Sequence, residues 1–228
     1  MSLTVVINAY WQSRFKNIPI IIESLNSGSV EPDEIIIFNN SGMKINGIDG
    51  YTQIVSDRNF GYRASYTSAL LTNSDYYLSM DDDFAVEKNT IENLIKHGWG
   101  ESVHTNVVLG LWGKNIQDNY RSGENIYARD ITELTKTDLL VGRGMIVFDR
   151  EALVNMIKLE QRLLFYNAEW DYSREQDILI SMANQSYVIP AGKDQQTVDL
   201  GEHGVGYNRE GGHYELRNNL VKTIRTLP

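Results

Sequence analysis

The sequence YYLSMDDD, from Tyr76 to Asp83, places three carboxylates directly after a run of five mostly apolar residues. The apolar run has the length of a buried strand, and ligands of open α/β sheets bind outside the carboxyl ends of the strands. In an extended backbone, Asp81 and Asp83 would face one way and Asp82 the other. Adjacent carboxylates repel one another unless a cation neutralises them. We therefore expect a divalent-metal site at a strand end, the alternative being a solvated acidic turn.

The composition is that of an acidic globular protein. With 42% hydrophobic residues, the 228-residue chain can bury a sizeable core in one domain. A net charge of −9 argues against nucleic-acid or anionic-membrane partners, which need a basic face. The absence of cysteine excludes disulfides, thiolate catalysis and Cys-ligated zinc. No signal-peptide pattern or long apolar run is present, so we expect a soluble, cytoplasmic chain without membrane insertion, or one domain of a larger protein.

Predicted strands and helices alternate over the first 110 residues, which is typical of a mainly parallel sheet with helices on its faces. The predicted strands are Thr4–Ile7, Glu34–Phe38, Thr52–Val55, Tyr76–Met80 and Val107–Leu111, and predicted helices are Tyr62–Leu71 and Ile91–His97. Ser13–Leu25 also has helical spacing, and Pro19 within it predicts a helix that either starts near that residue or kinks there. The second half is less regular, with strands at Met145–Phe148 and Tyr187–Ile189 and helices at Glu151–Lys158, Gln176–Ala183 and from about Tyr214. We predict a single α/β domain over residues 1–228, since no linker divides the chain.

Three further segments contain residues that could have a functional role, and each also has an ordinary structural explanation. Residues 57–63 hold two arginines and two aromatics before a predicted helix, which suits phosphate and base contacts or an ordinary surface loop. Glu175 and Asp177 open a helix, where a carboxylate can be a general base or can simply stabilise the helix dipole. His213 and Arg217 share a helical face, where the histidine could bind a metal ion and the arginine a diphosphate. The alternative is an ordinary polar helix.

The order of these segments resembles a GT-A fold glycosyltransferase, whose acidic metal motif is called DxD. Asn8-Ala9-Tyr10 after the first strand, Asn39-Asn40 after the second, Arg58–Gly61 and the acidic triplet are similar to the N-terminal half of family 2 enzymes. The second half resembles the exostosin-type transferases, in which a glycine-rich strand precedes an acidic pair and a C-terminal His-x-x-x-Arg. Here Gln176 separates the acidic pair, which is adjacent in that type. GT-A domains encoded by chlorella viruses are similar in size.

The resemblance implies a role for each segment. Asp83 would be the main ligand of Mn²⁺ or Mg²⁺, with Asp81 nearby and His213 or His203 completing the shell. Residues 1–110 would be the nucleotide-binding half, and the contacts to a UDP-sugar would come from Ala9, Tyr10, Asn39, Asn40, Asp57, Arg58, Arg63, Asp81 and Asp82. Residues 111–228 would be the acceptor-binding half with a C-terminal lid and helix, and the residues toward sugar and acceptor would be Gly142, Arg143, Gly144, Trp112 and Trp170. Asp177 or Glu175 would be catalytic, and Arg217 would face the diphosphate.

The expected activity is metal-dependent transfer of a hexose-type sugar from a nucleotide-sugar to an acceptor hydroxyl, on a glycan or another molecule. One alternative is a sugar nucleotidyltransferase, but such enzymes normally have a glycine-rich phosphate loop after the first strand, and residues 8–12 contain no glycine. The other is a non-catalytic module that binds a nucleotide or carbohydrate with a metal ion.

Overall fold

A computed structural model of the chain describes residues 1–99, 106–141, 145–166, 175–201 and 213–227. The strands in these ranges are β1 (Leu3–Ala9), β2 (Glu34–Asn39), β3 (Thr52–Val55), β4 (Tyr76–Asp81), β5 (Phe84–Val86), β6 (Val107–Gly110), β7 (Trp112–Asn115), β8 (Glu124–Tyr127), β9 (Thr135–Thr137), β10 (Leu139–Leu140), β11 (Met145–Asp149), β12 (Gln185–Val188) and β13 (Thr197–Asp199). The helices are α1 (Asn17–Asn26), α2 (Tyr62–Ser68), α3 (Thr90–Trp99), α4 (Arg150–Tyr166), α5 (Gln176–Ala183) and α6 (His213–Thr226). Among these described helices, none combines the length and the apolar character that crossing a bilayer requires.

The central sheet of the described residues has eight strands in the order β3-β2-β1-β4-β11-β6-β12-β9. β1 lies between β2 and β4 and is parallel to both, and β2 is parallel to β3. β11 runs antiparallel to β4 and to β6, while β12 is parallel to β6 and antiparallel to β9. The first half thus confirms the predicted parallel sheet, and the second half makes the sheet mixed.

Helices cover both faces of this sheet, because its central strands are apolar on both sides. β1 is buried along its whole length, which matches the continuous apolar run that a doubly covered strand needs. α1 and α3 pack on the face that includes Val5, Ile7 and Leu78, whereas α2, α4, α5 and α6 pack on the face that includes Val6 and Phe148. The result is a three-layer α/β arrangement whose loops at the carboxyl ends of β1, β2 and β4 meet at one edge.

Of the two outcomes that Pro19 allows in the Ser13–Leu25 stretch, the structure shows a helix that starts near the proline. Residues Gln12–Arg14 form a short 3₁₀ turn, and α1 begins only at Asn17. This boundary places Pro19 in the first turn of α1, where its missing N–H has no helical partner to lose. The predicted apolar face is confirmed by the buried residues Ile18, Ile21, Ile22 and Leu25.

The sequence patterns did not reveal the short strands β5, β7, β8, β9, β10 and β13. β10, β7 and β8 form a small antiparallel sheet, and β5 pairs with β13. These strands have two to four residues each, too few to show alternation. β5 and β13 lie more than 100 residues apart, with Ala85 opposite Val198, so only the folded chain brings them together.

Gly61 lets the chain turn sharply from β3 into α2. Its φ of 64° and ψ of −164° lie in a region that only glycine adopts without strain. The Gly61 carbonyl accepts a hydrogen bond from Asn40 Nδ2 at 3.3 Å, and the Phe60 amide donates to Asn40 Oδ1 at 3.0 Å. The turn therefore joins the end of β2 to the start of α2.

We predict that Gly61→Ala lowers the free energy of unfolding by about 1–3 kcal/mol, since a Cβ atom is strained at this φ and ψ. Gly192→Ala is the matched control, because Gly192 has an ordinary φ of −69° and a Cβ there would come no closer than 3.4 Å to another residue. That control should be neutral or stabilising by up to about 1 kcal/mol. Urea unfolding measures both, and equal stabilities would contradict the strain at Gly61.

Candidate active site

The acidic triplet lies at the carboxyl edge of the central sheet, as predicted. Asp81 is the last residue of β4, and the backbone turns at Asp82 and Asp83 before β5 begins. The expected alternation of the three side chains is wrong for Asp82 and Asp83, since one arginine, Arg14, contacts both. The turn, which replaces extended backbone at these two residues, allows this.

Arg14 joins the triplet to the segment that follows β1. Its Nη1 donates to Asp82 Oδ1 at 2.9 Å, and its Nη2 lies 3.1 Å from Asp83 Oδ2. Asp82 Oδ2 accepts from the Tyr10 amide at 3.2 Å, and Asn17 Nδ2 donates to the Asp82 carbonyl at 3.0 Å. Because Asp82 is only 4% exposed, it is an internal anchor of the β1–α1 connection.

Burial opposes the ionisation of Asp83 and Asp81. Asp83 Oδ1 is buried and makes no hydrogen bond. Burial raises the pKa of Asp83 to about 6, although Arg14 opposes this shift. Burial, followed by the charges of Asp83 and Asp82, raises the pKa of Asp81 well above its ordinary value. Carboxylates whose ionisation is opposed in this way gain most from a bound cation.

Glu175, Asp177 and Arg217 form a second charged cluster, at the start of α5 and on α6. Arg217 Nη2 donates to both carboxylate oxygens of Asp177, at 3.0 and 2.8 Å, and Arg217 Nε lies 2.8 Å from Glu175 Oε2. Arg217 Nη1 donates to the Tyr120 hydroxyl at 2.6 Å. Burial lowers the pKa of Arg217, but Asp177 and Glu175 together raise it above its ordinary value. Arg217 therefore stays charged while buried.

The two clusters face one another across Tyr62, the first residue of α2. The charge of Asp81, then burial, and then the charges of Asp82, Asp83 and Asp177 raise the pKa of Tyr62 well above its ordinary value. Asp177 also contributes to the raised pKa of Asp81. When ionised, the five carboxylates of the two clusters exceed Arg14 and Arg217 by three negative charges in the described part of this edge. An anionic diphosphate would be repelled here unless a cation accompanied it.

The predicted residues after β1 and β2 lie at the same edge but are engaged in holding loops. Asn40 Nδ2 donates to Asn8 Oδ1 at 3.0 Å, and the Asn40 amide donates to the Ala9 carbonyl at 2.8 Å. Asn39 Nδ2 donates to the Met43 carbonyl at 2.6 Å. Tyr10, in contrast, is exposed beside the ring of Trp11, so its ring is open to a ligand.

The predicted residues after β3 are on the surface. Asp57 and Arg58 are exposed, whereas Arg63 Nε lies 3.3 Å from Glu160 Oε1 on α4. The ion pair directs Arg63 toward α4, while Asp57 and Arg58 remain accessible at the rim.

Several predicted site residues lie outside the described part of the chain, namely Gly142, Arg143, Gly144, Trp170 and His203, and the side chain of His213. Trp112 is described on β7, where its ring stacks on Tyr127 with centroids 5.4 Å apart. In the ranges that the structure describes, no group of three histidine, aspartate or glutamate side chains is arranged to hold a metal ion.

Arg14 and Tyr120 belong to the site and were not predicted. Arg14 lies in the Ser13–Leu25 stretch of helical spacing, and Tyr120 lies between two strands that the sequence patterns did not reveal. No local pattern marked Arg14, because the Asp82 carboxylate that it contacts lies 68 residues away in the sequence and comes close only in the fold.

Comparisons with known proteins show the fold. No protein-family model matches the chain, and no curated protein matches it. The structure is similar to S. aureus TarS 1–349, with a TM-score of 0.51 and 16% identity over 84% of this chain and 59% of that chain. TarS 1–349 in complex with UDP gives a TM-score of 0.52 with the same identity and coverage. The chain thus spans about three fifths of those structures, and the likeness confirms the predicted GT-A type α/β fold.

We predict that Arg217→Met lowers the free energy of unfolding by about 3–5 kcal/mol, because the change leaves the buried Glu175 and the partly buried Asp177 without this guanidinium. Arg225→Met is the matched control on the same helix. Arg225 Nη2 lies 3.4 Å from Asp138 Oδ2, and both side chains are nearly half exposed, so its loss should cost only about 0–1 kcal/mol. Urea unfolding of both variants would refute the burial argument if the two losses were equal.

Proposed function

We propose that this chain is a glycosyltransferase of the hexosyltransferase type, which moves a sugar from a nucleotide-sugar donor to an acceptor hydroxyl with the help of Mn²⁺ or Mg²⁺. The observation that carries the proposal is the pair of charged clusters, the acidic triplet and the Glu175–Asp177–Arg217 cluster, which face one another at the carboxyl edge of a GT-A type sheet. The complex of TarS with UDP, in a similar fold, supports a UDP-sugar as the donor.

The residues present fit a hard divalent cation. Asp83 Oδ1 is a buried carboxylate oxygen without a hydrogen bond, and Asp81 is the neighbouring carboxylate whose ionisation is most opposed. These two would hold the ion, and donor phosphate and water oxygens suit the remaining positions of Mg²⁺ or Mn²⁺. A cation bound here would supply positive charge to the diphosphate as it leaves.

We assign to Asp177 the role of contacting the acceptor hydroxyl. Arg217 contacts both of its oxygens, which holds the carboxylate in one orientation. A carboxylate has about four lone-pair sites, so Asp177 can still accept a hydrogen bond from an acceptor hydroxyl. If the anomeric centre inverts, Asp177 would remove the acceptor proton. If it is retained, Asp177 or Glu175 would stabilise an oxocarbenium-like state.

The nucleotide would lie over the loops after β1 and β3. Tyr10 offers an exposed aromatic ring for a base, and Arg58 offers an exposed guanidinium for phosphate. Asn39 and Asn40 would act mainly by holding these loops in place, since their side-chain amides already bind neighbouring backbone and side-chain groups.

We predict that the protein releases a nucleoside diphosphate from a UDP-sugar only when Mn²⁺ or Mg²⁺ is present. The measurement is product release across a panel of UDP- and GDP-sugars, with EDTA-treated protein as the metal-free control. Binding of UDP and Mn²⁺ without any release would favour a non-catalytic binding module. Formation of a nucleotide-sugar from a sugar phosphate and a nucleoside triphosphate would favour a nucleotidyltransferase.

We predict that Asp83→Ala abolishes metal-dependent turnover while the fold is retained, because the main cation ligand is lost. Asp49→Ala is the matched control, since Asp49 is an exposed aspartate in the loop that leads into β3, toward the opposite edge of the sheet. Turnover and far-UV circular dichroism of both variants provide the test. Wild-type activity in Asp83→Ala would remove the metal assignment.

A further inference from the structure

We propose that Arg14 is a positioning residue for the cation, which holds Asp83 so that one carboxylate oxygen stays turned toward the metal ion. The inference rests on the metal-dependent function proposed above. Arg14 would not touch the reacting atoms, because its guanidinium contacts Asp82 and Asp83 instead.

The geometry of Arg14 is that of a clamp between two carboxylates. Its side chain is 9% exposed, and its two terminal nitrogens reach different residues, Asp82 at 2.9 Å and Asp83 at 3.1 Å. A guanidinium is planar and rigid, so a contact made by one nitrogen fixes where the other must lie. The position of Asp83 Oδ2 is therefore tied to that of Asp82.

Asp82 is itself immobilised, which makes the clamp effective. Its second oxygen accepts from the Tyr10 amide, and its carbonyl accepts from Asn17, so the residue is attached to the loop after β1 and to the first residue of α1. A continuous path of hydrogen bonds and ion pairs thus runs from that loop through Asp82 and Arg14 to Asp83. At the end of this path Asp83 Oδ1 is buried without a hydrogen bond.

Two roles for Arg14 predict opposite effects on metal affinity. If Arg14 were only a countercharge, its removal would make the site more negative and Mn²⁺ would bind more tightly. If Arg14 orients Asp83, its removal frees the carboxylate to rotate, and Mn²⁺ binds more weakly. Residues that orient metal ligands typically change affinity by about 10–100-fold when they are replaced.

The experiment measures the Mn²⁺ dissociation constant by electron paramagnetic resonance of free Mn²⁺, in the presence of UDP and without turnover. We expect Arg14→Met to weaken binding by about 10–100-fold. Arg14→Lys should also weaken binding, because a lysine ammonium keeps the charge but cannot span two carboxylates. Arg129→Met is the control, since Arg129 is an exposed arginine on the turn after β8, and it should bind as the wild type does.

A double variant keeps the test decisive if Arg14→Met alone fails to fold. Arg14→Met with Asp82→Asn removes one positive and one negative charge together, so the net charge of the site is unchanged and Asp82, the more buried of the two aspartates, is not left as an unpaired charge. Weaker Mn²⁺ binding by this variant supports orientation. Wild-type affinity in the double variant, or tighter binding by Arg14→Met, overturns the proposed role of Arg14. Absence of Mn²⁺ binding to the wild type would instead overturn the metal-dependent function itself.

Discussion

Mutual repulsion among carboxylates at one edge of the sheet is the constraint that shapes this protein. Buried charges are tolerated only when they are paired, and two arginines from opposite ends of the described chain provide the pairing. Arg14 follows the first strand and binds Asp82 and Asp83, whereas Arg217 on α6 binds Glu175 and Asp177. The acidic edge therefore depends on contacts that span the sequence.

Residues of one chemical type acquire different roles from their surroundings. Asp82 is enclosed by Arg14, Tyr10 and Asn17, so it anchors a loop. Asp83 shares the same arginine but keeps one buried oxygen without a hydrogen bond. Burial opposes the ionisation of Asp83 and of the neighbouring Asp81, so a cation bound beside these two carboxylates would stabilise their charged forms.

The mixed topology of the sheet explains how both clusters reach one place. The parallel strands β1, β2 and β4 end together and bring their loops to the carboxyl edge. β11 then runs back alongside β4, and α4 and α5 cover the same face of the sheet. α5 begins beside α2, so Asp177 lies close to Tyr62 and Asp81. A GT-A type fold thus places residues separated by about a hundred positions on the two sides of one site.

The sequence by itself determined the parallel first half, the helices on both faces and the place of the triplet at the end of β4, because long apolar runs and strand-helix alternation are local signals. It also indicated Glu175 and Asp177 at the start of a helix. Only the tertiary structure decided that Arg14 clamps Asp82 and Asp83, that Arg217 binds the acidic pair, and that Asn39 and Asn40 hold loops. These contacts join residues whose spacing along the chain follows no helix or strand period. The sequence therefore does not indicate which charges will pair, since the partners come within a few ångströms only in the folded chain.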